Sequence, residues 1–200
     1  MIDLHAHLLP GLDDGARSLA EAVELCRLAA EEGCSDLVAT PHRRRDEWAD
    51  RSPAALVDAL AELAAAVGER PRLHLGAENR VDSDLLAEVA SGRAGAVLPL
   101  AGSRYLLLEL EPAGCGPDPV ALVAALVGRG WFPVIAHPEV TPCLVRDPGA
   151  AGRLVAAGAS LQLTAASLTG DFGPGPRQRA LELVEAGLAH FVASDAHRPG

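Results

Sequence analysis

His5-Ala6-His7 sets two imidazoles on one side of an extended segment, because side chains in a strand alternate with period two. Two histidines so close together suit chelation of a single ion, yet the pair alone carries little weight. Its company gives it weight. His42, His137 and His197 each stand just beyond a different short apolar run, so five of the seven histidines occupy one kind of position. Glu78 and Glu109 close two more such runs, and Asp195 sits two residues before His197. A carboxylate in apolar surroundings is costly unless a cation accompanies it. A metal supplies that cation; the competing reading is a salt bridge to Arg80 or Arg104. Asp14, in Asp13-Asp14-Gly15, reads equally well as part of a turn and as a ligand. Mixed imidazole and carboxylate donors suit Zn, Mn or Fe better than Mg or Ca. Eight or nine such ligands exceed the needs of one ion. Two or three divalent ions follow, a cluster of the kind that clamps the attacking and leaving oxygens in phosphoryl hydrolysis.

The elements that must position these residues are legible as alternating strands and helices. Helical periodicity and caps predict helices at about 18–33, 53–68, 82–91, 117–129, 147–157 and 175–186. Ser18 with Glu21 forms a capping-box signature and Gly33 a stop, while Ser52-Pro53 opens the second helix. The intervening apolar runs read as strands of a parallel sheet covered by helices. Parallel strands place all their C-termini on one face, so ligands spread along the whole chain converge there. Seven alternations within 200 residues are too few for a full eight-fold barrel, and a distorted seven-stranded (β/α)7 barrel is expected. Residues 165–176 are the longest Gly/Pro-rich loop, expected on the active face. No linker divides the chain, so one domain is expected over 1–200. The chain stops three residues after His197, so a closing helix is expected to be missing and one flank to be left for a partner or a further segment to cover.

Composition narrows the functional classes. A net charge of −10 argues against a nucleic-acid surface, which needs a basic stripe. All seventeen basic residues are Arg, so Lys is absent as a Schiff base or Walker-type phosphate ligand. Cys26, Cys34, Cys115 and Cys143 form no Cys-x-x-Cys pair and are expected as free, mostly buried thiols of a cytoplasmic protein. None has Arg six positions later, which excludes a Cys-x5-Arg phosphatase. No uncharged apolar stretch approaches the ~18–20 residues that span a bilayer, and no signal peptide is visible.

His5-Ala6-His7, Leu9-Pro10-Gly11-Leu12-Asp13-Asp14-Gly15, Thr40-Pro41-His42, Gly76-Ala77-Glu78, His137-Pro138-Glu139 and Ser194-Asp195-Ala196-His197 together resemble the PHP (polymerase and histidinol phosphatase) superfamily. The start motif and Leu161-Gln162-Leu163-Thr164 through Gly170 look like its CpsB/YwqE branch of bacterial tyrosine phosphatases. The resemblance implies a metal-dependent phosphatase that acts on an autophosphorylated tyrosine kinase of exopolysaccharide or capsule synthesis. It implies manganese first, with iron or zinc as alternatives. One ion would take His5, His7, Glu78 and Asp195; a second would share Glu78 and add Glu109 and His137; a third would take Asp14, His42 and His197. His42, Asp195 and His197 form the expected catalytic set, with hydroxide generated between cations attacking phosphorus.

Two departures from the family pattern stand out. Val140 follows His-Pro-Glu where the family has Arg, and Arg43 follows His42 where a second His is usual. Arg43 or Arg198 is therefore the expected phosphate ligand, since a guanidinium matches phosphate geometry. A histidinol-phosphate or other small phosphoester phosphatase, and a catalytically weak metal-binding module, stay open at this point. A homo-oligomer is compatible with all of these readings.

Overall fold

The computed structural model describes residues 1–45, 47–91, 97–110 and 118–199. It has the expected α/β architecture of parallel strands alternating with helices. All seven predicted strands are present: β1 (Ile2–Ala6), β2 (Asp36–Ala39), β4 (Arg72–Leu75), β6 (Tyr105–Glu109), β7 (Phe132–Ala136), β8 (Ser160–Thr164) and β9 (Phe191–Ala193). Two short strands, β3 (His42–Arg43) and β5 (Glu78–Arg80), add to them. The segment leading to Glu78 breaks after β4 because Gly76 passes so close to its neighbours that a Cβ there would lie 2.9 Å from Val38 and 3.0 Å from Leu100.

The described residues group into two compact units. The first comprises residues 1–78, 98–103 and 194–200. It holds the parallel sheet β1-β2-β4, with Asp36 opposite both Ile2 and Arg72. Every residue of β2 is buried, as a central parallel strand requires. Helices α1 (Leu19–Glu31) and α2 (Pro53–Val67) cover it. The core includes Leu8, Leu9, Leu25, Leu37, Leu56 and Leu63. Ser18 caps α1 by accepting from Glu21 N–H at 3.2 Å, but the Glu21 carboxylate returns to Arg17 N–H at 2.9 Å. Ser52 caps α2 by accepting from Ala55 N–H at 3.2 Å. His74 is structural: its Nε2 lies 2.9 Å from Asp36 Oδ1, which also accepts from Arg72.

The second unit comprises residues 79–97 and 104–193. Its strands β6 to β9 pair in order and in parallel, with Tyr105 opposite Phe132 and Thr164 opposite Ala193. Its helices are α3 (Leu85–Ser91), α4 (Pro119–Val127), α5 (Pro142–Arg146), α6 (Ala150–Ala156), α7 (Ala165–Thr169) and α8 (Pro174–Glu185). Pro117, expected near the start of α4, lies outside the described residues. Asp118 caps that helix, accepting from Val120 and Ala121 N–H. His190 is structural too, its Nδ1 accepting from Leu161 N–H at 3.2 Å.

Three expectations need correction. The 165–176 stretch is not one loop: α7 occupies its first turn, Gly170 ends that turn in the left-handed region (φ 97°), and α8 begins at Pro174. Helix α5 was not expected either. Both extra helices span five residues, too few for a periodic apolar pattern to register. Cys26 and Cys34 are free, but Cys143 is disulfide-bonded, which overturns the expectation of four free thiols. Bridging depends on Cα separation in space, which sequence spacing does not report.

Candidate metal centre

The first unit brings seven predicted site residues to one place. Residues 194–196 return to lie beside β1: Asp195 N–H donates to His5 O at 2.9 Å, and His7 N–H donates to Ala196 O at 2.8 Å. The Asp3 carboxylate secures the join by accepting from Ser194 N–H at 3.1 Å. Asp195 itself is left-handed (φ 54°), which Asp tolerates better than most residues and which turns its side chain off the strand direction. Thr40 fixes the ends of β1 and β2, donating its N–H to Ala6 O and accepting from Ala6 N–H. Pro41 O then accepts from Glu78 N–H at 3.2 Å, which carries Glu78 to the same place.

The donor atoms are close-set. His5 Nε2 lies 3.2 Å from His7 Nε2 and 3.2 Å from Asp195 Oδ1. Glu78 Oε2 is 3.7 Å from both of those imidazoles and 2.8 Å from His42 Nδ1. Asp14 Oδ1 lies 3.4 Å from His42 Nε2 and 3.4 Å from His197 Nε2. Within the first unit two sets have ligand atoms within 4.8 Å of one another: His7, Asp14, His42 and His197, and His5, His7 and Asp195. His5, His7 and Glu78 are fully buried, whereas the Asp14 side chain is 47% exposed, so the centre opens toward Asp14. Nitrogen and oxygen donors packed this densely fit bound divalent cations. The ionic neighbours of Glu78 include the imidazoles of His5, His7 and His42, as a ligand set requires.

Asp14 turns out to serve turn and site together. Gly15 must be Gly, because a Cβ there would fall 2.3 Å from His7 O. The same turn buries Asp13, which sequence reasoning did not single out. Asp13 Oδ2 sits 2.8 Å from His7 Nδ1 and accepts from His42 N–H at 3.0 Å, while Oδ1 accepts from Gly15 N–H at 2.9 Å. A carboxylate that takes the far N–H of an imidazole fixes its tautomer and leaves Nε2 as the ligand atom. Its signal was its place beside a Gly turn that folds back onto His-x-His. Burial alone would raise the Asp13 pKa, but the His7 hydrogen bond and charge, with the two backbone N–H groups, lower it to about 2. Burial likewise opposes a charged His7; the hydrogen bonds to Asp13 and Asp195 and the charge of Glu78 outweigh it and raise that pKa to about 10. The pocket is strongly anionic. His197 shows the same tautomer logic, since Nδ1 faces the Asp195 carbonyl oxygen at 2.8 Å and must donate to it.

The other predicted residues are placed as follows. Arg43 is buried, its Nη2 donating to Asp50 Oδ2 at 3.1 Å. Arg198 is exposed and donates from Nη2 to Asp14 O at 3.4 Å. Glu109 ends β6 and His137 follows β7, both in the second unit. Glu109 is buried and His137 is left-handed (φ 34°). Glu139 is also buried and accepts from Thr164 N–H at 2.8 Å, which ties His-Pro-Glu to the start of α7.

A family model described as capsular polysaccharide synthesis, CpsB/CapC, matches residues 1–200. The chain belongs to that family. Among its relatives, tyrosine-protein phosphatase YwqE of Bacillus subtilis (strain 168) is 36% identical over 98% of this chain and 77% of that protein. Tyrosine-protein phosphatase CpsB of Streptococcus agalactiae serotype V is 25% identical over 98% of this chain and 83% of that protein. A chain from the crystal structures of YwqE from Bacillus subtilis and CpsB from Streptococcus pneumoniae, described as metal-dependent tyrosine phosphatases, superposes with TM-score 0.91. It is 35% identical, over 99% of this chain and 80% of that one. A Listeria monocytogenes protein assigned as a histidinol phosphatase shares the fold at TM-score 0.56 and 11% identity. The CpsB/CapC chain thus shares its α/β fold with this distant neighbour. No described helix is long and apolar enough to cross a membrane.

Proposed function

We propose that residues 1–200 act as one metal-dependent protein-tyrosine phosphatase domain of capsule or exopolysaccharide synthesis, cytoplasmic, whose partner is an autophosphorylated tyrosine kinase. The observation that carries this reading is the convergence of His5, His7, Asp14, His42, Glu78, Asp195 and His197, with Asp13 aligning His7. The phosphatase relatives support it. His5, His7, Glu78 and Asp195 would hold one ion, and Asp14, His42 and His197 another; Glu109 and His137 join the ligand set on the strength of the family resemblance. Manganese is the proposed ion, with iron and zinc as alternatives. Bound ions would acidify a water and neutralise charge on the phosphoryl oxygens.

The chain's own groups do the rest. His42, Asp195 and His197 form the proposed catalytic set. His197 Nδ1 is committed to Asp195 O, so Nε2 is the atom it presents to an ion or a proton. Arg198 is exposed beside the Asp14 end of the site and is the better placed guanidinium for an incoming phosphate. Arg43 is engaged with Asp50 and reaches phosphate only by exchanging that partner. A tyrosine leaving group, with a pKa of ~10, needs little protonation to depart.

The test is hydrolysis of a phosphotyrosine peptide and of histidinol phosphate, with manganese and with chelator. Turnover of the peptide that disappears on chelation is the expected result. Chelator-insensitive turnover, or preference for histidinol phosphate, would overturn the proposal.

A further inference from the structure

Trp48 is the only Phe, Trp or Tyr in the first unit. Its ring lies parallel to the His42 imidazole, 5° between planes and 5.2 Å between centroids. Both His42 nitrogens face the site, Nδ1 toward Glu78 and Nε2 toward Asp14, so the indole stacks on the wall of the candidate centre. Trp48 is half-buried and keeps accessible surface. Nearby backbone is held in place: Arg44 is left-handed (φ 67°), and the Asp50 carboxylate accepts from Arg44 N–H at 3.0 Å and from Arg43 at 3.1 Å. The Arg45 guanidinium lies 5.6 Å from the indole centroid.

A phosphate held by these ligands would have to direct its ester oxygen away from the closed end, where His5, His7 and Glu78 are sealed from solvent. The leaving group would then emerge toward the exposed Asp14, whose neighbour His42 carries the Trp48 indole on its ring face. An aryl group leaving there would meet an aromatic surface already stacked on His42, which would lower the entropy lost on binding.

We propose that Trp48 is a specificity-determining residue: its indole receives the ring of an aryl phosphomonoester and so favours aryl over alkyl phosphates. The proposal rests on the phosphatase reading above and names the substrate class of that same site. Aromatic pairs contribute modestly, so the aryl-to-alkyl ratio of kcat/KM should fall about three- to tenfold in Trp48→Ala.

The experiment compares phenyl phosphate with glycerol 2-phosphate for the manganese-loaded wild type, Trp48→Ala and Trp48→Phe, with bound metal per chain measured on each. A lowered ratio in Trp48→Ala at unchanged metal content, restored in Trp48→Phe to within about twofold, supports the proposal. An equal fall for both esters, a loss of metal, or no change in ratio would overturn it and leave the indole as a support for His42 alone. A wild type inert toward both esters would also overturn it, and the phosphatase reading would fall with it only if the phosphotyrosine peptide were left intact too.

Discussion

Asp13 acts through His7. Its carboxylate holds Nδ1 at 2.8 Å and spends its remaining capacity on the N–H groups of His42 and Gly15, so it aligns two candidate ligands and the turn between them. Carboxylates behind metal-bound imidazoles typically contribute about 10- to 100-fold in metal affinity. Asp13→Ala should weaken manganese binding by that order in calorimetric titration, and a variant that binds as tightly as wild type would remove Asp13 from the centre. The adjacent Asp14 was the visible candidate in the sequence, where it read equally well as a turn residue and as a ligand. Asp13 was not, because its partner is identified only once the turn has closed on His7. Cys26 gives a separate check on packing. Burial pushes its thiol up to about 12, so it should resist alkylation at pH 8 in the native protein and react only on unfolding. Rapid native labelling at Cys26, located by mass spectrometry, would contradict the packing of α1 on the first unit's core.

Elements deliver the ligands, and close backbone approaches set where they are delivered. Gly76 lets the chain pass Val38 and Leu100 between β4 and Glu78, and a methyl group there has no room. Overpacking of this kind costs about 1–3 kcal/mol, so Gly76→Ala should lower Tm by roughly 2–10 °C. Calorimetry that finds Tm unchanged would show that the neighbours yield freely. The long helices were legible because each carries an apolar face, and α1 and α2 also carry side-chain caps in Ser18 and Ser52. Helices α5 and α7 were not, since one turn bounded by Pro142, or by Thr164 and Gly170, has no period to read. Strand ends were legible for a related reason: the apolar runs stop where a polar ligand begins.

At the scale of the molecule, divalent ions that bind only the native state must stabilise it. Saturation at 100 times Kd contributes about 2.7 kcal/mol. Chelation should therefore lower the thermal midpoint of the metal-loaded protein by several degrees and manganese should restore it; indifference to both would count against a folded-state metal centre. The anionic pocket explains the direction, because Asp13, Asp14, Glu78 and Asp195 repel one another until cations enter. The order of the seven main strands and six predicted helices, the caps of α1 and α2 and the proposed ligand set were read from the sequence alone, because those signals are local: periodicity, a capping hydroxyl, a polar residue ending an apolar run. Tertiary structure alone decided that residues 194–197 return to β1, that Asp13 lies behind His7, that Trp48 stacks on His42 and that Arg43 is held by Asp50. Each of these is a contact across a closed loop, and its partner is chosen by how the sheet and turns bring distant backbone together, which residue order does not record.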